Sequence, residues 1–116
     1  SLAQLYSALA TDGTSNGTRI AGPGTLRQAR SLQIEGLDAV LSIEARWGCG
    51  FLLNTNGVYG PNPDSFGHSG WGGSFAFGDP ANGLGVAYTM NQMGTDLVGD
   101  PRSMALIDAL YASLNN

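Results

Sequence analysis

Hydrophobic residues recur along this chain with two periods, one helical and one extended, and the change between them outlines the fold. Leu2, Leu5, Tyr6 and Leu9 fall at i, i+3, i+4 and i+7, a spacing that lines one face of a helix and predicts one over residues 1–11. Asp12-Gly13 and the polar stretch from Thr14 to Thr18 stop that helix and form a loop. A short helix follows over about 24–31, capped by Thr25. From Leu32 to Arg46 neither period is sustained, and the stretch reads as loop with room for a strand.

Strands are expected over about 47–91. Trp47-Gly-Cys-Gly-Phe-Leu-Leu53 alternates strictly, with Trp47, Cys49, Phe51 and Leu53 on one face and glycine opposite, the pattern of a strand that something approaches closely. Asn-Gly, Gly-Pro and Asn-Pro pairs between Asn54 and Asp64 mark turns and surface loop leading to a strand near Phe66–Ser69. Period-two segments Ser74–Gly78 and Leu84–Asn91 flank Asp79-Pro-Ala-Asn-Gly83 and predict a hairpin. Asp100-Pro101 is an N-cap followed by proline at the first helical position, and Ile107, Leu110, Tyr111 and Leu114 stripe a terminal helix over 101–114. Helix, helix, antiparallel strands and helix in that order make an α+β fold, an antiparallel sheet flanked by helices.

Composition narrows the chemistry. The 116 residues suit one domain, and charged residues are 12% of them, about half the roughly 25% usual in soluble domains. Nine acidic residues outnumber five basic ones, so the electrostatic footprint for nucleic acid or an anionic membrane is missing. No apolar run approaches the roughly 18 residues of a membrane helix. One histidine and one cysteine cannot supply a typical zinc site. The lone cysteine also forbids an internal disulfide, so nothing speaks for secretion and a cytoplasmic location is favoured. All five basic residues are arginine, and the chain has no lysine to act as a base.

The densest feature is Phe66-Gly-His-Ser-Gly-Trp-Gly-Gly-Ser74, which sets Gly67, Gly70, Gly72 and Gly73 around His68. Such glycine density fits a ligand approaching backbone N–H groups, as in an oxyanion hole, and equally a tight bend between strands. Familiar motifs fail on spacing. A Gly-x-Ser-x-Gly elbow on Ser69 meets Trp71, and Gly-x-Gly-x-x-Gly from Gly70 meets Phe75. Neighbours Ser69 and His68 would point to opposite faces of a strand, so they do not form a self-contained triad.

The run from Phe66 to Pro80, with Leu84-Gly-Val-Ala-Tyr-Thr-Met-Asn-Gln-Met93, resembles the serine β-lactamase-related hydrolases, especially class C-like esterases and penicillin-binding-protein-like members. The resemblance implies the β-lactamase/DD-peptidase fold and an acyl-enzyme mechanism without metal or organic cofactor. His68-Ser69-Gly70 matches the family's His-x-Gly variant of Lys-Thr-Gly. His68 would then face the cleft, the Trp71 backbone N–H would serve the oxyanion hole, and Ser69, Gly70 and Gly72 would line the substrate. An imidazole carries positive charge less often at neutral pH than an ammonium, which favours uncharged esters over penicillin-like acids.

The family's Ser-x-x-Lys cannot occur in a chain without lysine, and no tyrosine stands in Tyr-x-Asn. Both elements lie upstream in the family. The chain is therefore expected to be the C-terminal portion of a longer enzyme acting on a small ester or amide, its N-terminal portion supplied as a second chain. A second reading explains the missing nucleophile differently, as a catalytically inactive relative kept for binding or scaffolding.

Overall fold

The computed structural model describes residues 1–115. Its helices are α1 (Leu2–Ala10), α2 (Pro23–Arg30) and α3 (Pro101–Leu114), and its strands are β1 (Thr14–Ser15), β2 (Thr18–Arg19), β3 (Ile34–Leu37), β4 (Glu44–Trp47), β5 (Leu52–Leu53), β6 (Phe66–Ser69), β7 (Phe75–Asp79) and β8 (Leu84–Tyr88). Strands β3 to β8 form one sheet in sequential order, every neighbour antiparallel. Each strand thus pairs with the strand next to it in the chain.

Three expectations change. The stretch from Trp47 to Leu53 is not one strand: Trp47 ends β4, Gly50 turns the chain at φ +80°, and Leu52 returns to pair with Trp47. A hairpin preserves the letter alternation, so the period alone could not distinguish the two. Gly48 is needed there, because a Cβ would lie 2.5 Å from the Ala29 carbonyl oxygen. The strands of the six-stranded sheet begin at residue 34 instead of 47, and the stretch read as loop is the β3–β4 hairpin, whose turn is held by Asp38 Oδ1 accepting from Val40 N and Leu41 N. Helix α2 is capped by Gly22, with Pro23 in its first turn and Thr25 already inside it. Between α1 and α2, Asn16 and Gly17 both adopt positive φ and close the small β1–β2 ribbon as a hairpin turn requires.

The two sheet faces are buried under different helices. Tyr6 of α1 packs with Leu53, Phe66 and Ala76 on one face, and Gly85 admits the helix so closely that a Cβ there would sit 2.0 Å from Ser7 N. Alternate residues face the other way: Phe75 and Phe77 join Leu52, Tyr59, Ile107 and Tyr111 beneath α3. Phe77 stacks on Tyr59 with ring centroids 5.5 Å apart. Among the described residues no helix is long and apolar enough to cross a membrane.

Candidate active site

Strand β6 presents the glycine-rich run at a gap in the sheet. It pairs with β7 along all four residues, but β5 covers only Phe66 and Gly67. Beyond Gly67 the β5-side edge of β6 is open, and His68 lies there. Its Nδ1 is 2.8 Å from the Ser69 carbonyl oxygen. A carbonyl can only accept, so in the neutral ring this contact places the hydrogen on Nδ1 and leaves Nε2 free. The exposed ring packs against Trp47 at 5.6 Å.

Ser69 turns the other way, as the strand alternation requires, and its hydroxyl shares a 3.0 Å hydrogen bond with the Tyr59 hydroxyl. Burial raises the Tyr59 pKa, and the hydrogen bond with Ser69 opposes the shift. Among the described residues no serine hydroxyl hydrogen-bonds His68. The Ser65 hydroxyl is buried without a partner. Ser74 joins Leu2, Tyr6, His68, Gly70 and Tyr88 in lining a mostly apolar cavity of about 370 Å³.

The four glycines play a different part from the one their density suggested. Gly67 makes room for Phe77, Gly70 for the Ser74 hydroxyl, Gly72 for Met93 and Gly73 for the Asp100 carboxylate; a Cβ on any of them would come within 3 Å of that neighbour. Protein, not ligand, fills the space above them. What reaches the open edge is backbone. Gly70 N donates to Ser74 O at 2.8 Å, Gly72 N to Asp96 O at 3.0 Å and Gly73 N to Gly70 O at 3.2 Å. Among the described residues the Trp71 N–H has no acceptor. The Trp71 indole is 68% exposed, so it does not pack into the core.

A second cavity of about 380 Å³ lies elsewhere, among Arg27, Arg30, Arg46, Leu53, Pro63 and Asp64. It shares no lining residue with the first, so size does not decide which is the site. Among the described residues no cluster of His, Cys, Asp and Glu could hold a metal ion.

A family model described as Beta-lactamase matches residues 1–109. The chain belongs to the Beta-lactamase family. Among solved structures it is similar to a family VIII carboxylesterase, at 48% identity and a TM-score of 0.92 over 96% of this chain and 30% of that one. It is equally similar to a penicillin-binding protein homolog from Caulobacter crescentus, at 50% identity and a TM-score of 0.92 over 97% of this chain and 30% of that one. EstA from Arthrobacter nitroguajacolicus Rue61a, at 23% identity and a TM-score of 0.74, shares the fold. Among curated proteins none matches. This Beta-lactamase family chain therefore spans about 30% of the length of the first two structures, and its α+β fold is theirs over that span.

Sequence reasoning singled out His68 and Trp71, and the structure places His68 on the open edge of β6 and Trp71 in the turn that follows the strand. It missed Tyr59, which holds Ser69 from the opposite face, because that residue sits in a loop with no period to mark it. It read Asp100 only as a helix cap, and the contact with Gly73 was invisible at that separation.

Proposed function

We propose that this chain is the C-terminal part of a serine hydrolase cleaving small esters or amides through an acyl-enzyme. Its nucleophilic serine and lysine base would come from an N-terminal portion present as a second chain. The observation that carries the reading is the Trp71 N–H, left without an acceptor in the turn after β6, next in the chain to Gly70, which lines the apolar cavity together with His68.

Attack by the serine oxygen on the substrate carbonyl carbon opens the C=O double bond, and the electron pair settles on the carbonyl oxygen. The Trp71 N–H donates to that oxygen where charge develops. Collapse restores C=O and breaks the bond to the alcohol or amine, which leaves with the proton the base removed from the serine. Water then repeats the sequence on the acyl-enzyme and releases the acid. His68 Nε2 is free to hydrogen-bond a substrate or leaving-group hydroxyl. Apart from His68 the cavity lining holds no basic side chain, which suits a neutral ester, and a relative at 48% identity is described as a carboxylesterase.

The test is denaturing mass spectrometry after treatment with a fluorophosphonate serine probe. The expected result is a second, larger polypeptide labelled on a serine that precedes a lysine by three residues. An unlabelled chain of 12.0 kDa with no companion overturns the hydrolase reading and leaves the inactive module in its place.

A further inference from the structure

We propose that Arg102, clamped by Asp100, is the positioning residue that fixes the Trp71 N–H donor; the inference rests on the hydrolase reading above. Arg102 opens α3, about thirty residues beyond the loop, and its guanidinium spends its donors there. Nη2 reaches the Gly72 carbonyl oxygen at 3.0 Å and Nη1 the Gln92 carbonyl oxygen at 2.8 Å. Nε and Nη2 also grip the Asp100 carboxylate at 3.1 and 2.9 Å. This two-pronged contact is a geometry that a lysine ammonium cannot reproduce. The Asp100 carboxylate is itself almost fully buried.

The surrounding backbone is tied down on every side. The Gly72 carbonyl accepts a second bond from Gly94 N at 2.8 Å, and the Gly73 carbonyl accepts from the Ser103 hydroxyl at 2.7 Å. The carbonyl of the peptide that carries the Trp71 N–H belongs to Gly70 and accepts from Gly73 N at 3.2 Å. Holding Gly72 and Gly73 therefore sets the plane of the peptide one step back, and with it the direction of the free N–H. Gly73 and Gly94 both lie against the Asp100–Arg102 pair, where a Cβ on either would come within 2.7 Å of Asp100 Oδ2. The ion pair is seated by two glycines, Gly73 of the β6–β7 loop and Gly94 of the segment after β8. An oxyanion donor is useful only when aimed beforehand, and this network supplies the aim.

The experiment uses the intact two-part enzyme, comparing wild type with Arg102→Ala and Arg102→Lys on a neutral ester and with a boronic acid that forms a tetrahedral adduct. For Arg102→Ala, kcat should fall about 10²-fold, the scale of losing an oxyanion donor, while KM changes less than about threefold on the same argument of transition-state-only loss. Boronate affinity should fall in parallel, Arg102→Lys should not rescue, and added guanidinium at sub-denaturing concentration should restore part of kcat. An Arg102→Ala enzyme with kcat within twofold of wild type overturns the clamp and leaves the hydrolase reading intact. Loss of kcat and substrate binding together with a lowered melting temperature and no guanidinium rescue also overturns it, since that is general structural damage. A wild-type enzyme that neither turns over the ester nor takes a fluorophosphonate label defeats the hydrolase reading, and the clamp falls with it.

Discussion

Asp79 is completely buried at the end of β7, and its carboxylate lives on the hydrogen bonds it accepts. Asn62 Nδ2 and the Tyr111 hydroxyl donate at 2.6 Å, Asn82 Nδ2 at 2.9 Å, and the Ala81 and Asn82 N–H groups at 2.9 and 3.3 Å. Burial pushes its pKa up, but the bonds from Asn82, Tyr111 and Asn62 outweigh it and hold the carboxyl below its ordinary value. A depressed folded-state pKa contributes stability that is present above the unfolded value, about 3.9 for Asp, and lost as pH falls through the folded one. Asp79→Asn turns an amide N–H toward groups that all donate to the wild-type carboxylate. Urea denaturation should show it less stable than wild type by about 1–3 kcal/mol at pH 7, the cost of unsatisfied buried donors. The gap should narrow as the pH falls below about 4, where the wild-type carboxylate is protonated in the unfolded chain. A gap that does not depend on pH would mean that packing, not charge, is lost.

The tightest fit between elements is α1 on β8, where Gly85 lies beneath the Ala3–Ser7 turn. Gly85→Ala must lift the helix, because the obstructing atoms are backbone and cannot rotate away. The expected cost is about 1–3 kcal/mol, as for other overpacked sites, read as a lower urea midpoint with an unchanged slope. Elements were legible where packing imprints a period. Tyr6 of the α1 stripe and Ile107 and Tyr111 of the α3 stripe are buried, and β7 alternates Phe75 and Phe77 in one core cluster with Ala76 in the other. The β3–β4 hairpin was illegible because all four β3 residues are exposed, so burial imprints no period on them. Trp47–Leu53 misled for the opposite reason, since a two-residue β5 is too short to tell a returning strand from a continuing one. In the candidate site, the glycine-rich run pointed to His68 and the family resemblance to the Trp71 N–H. Arg102 was not legible, because what joins it to Gly72 is tertiary proximity.

At the scale of the whole molecule, apolar surface lies where a small domain would not leave it. Ile34 and Leu37 on the sheet's edge strand are 66% and 67% exposed, and Val40 at the hairpin tip is 89% exposed. Strand β8 pairs on one side only. Unpaired edges and apolar patches invite further chain to cover them. The chain by itself should run on size exclusion well above its 12.0 kDa, with an elution position that moves to larger size as concentration rises. A monomer at all concentrations would show that these surfaces are tolerated in water.

The thirty residues between Gly73 and Ser103 also order events in time. On a ribosome the β6–β7 hairpin emerges before α3 does. Until that helix docks, Gly72 lacks its arginine and Gly73 its serine, so the Trp71 N–H has no fixed direction. A nascent chain that has exposed β6 and β7 but not α3 would therefore have no set donor. Helix α3 thus acts as a latch on the strand edge that precedes it.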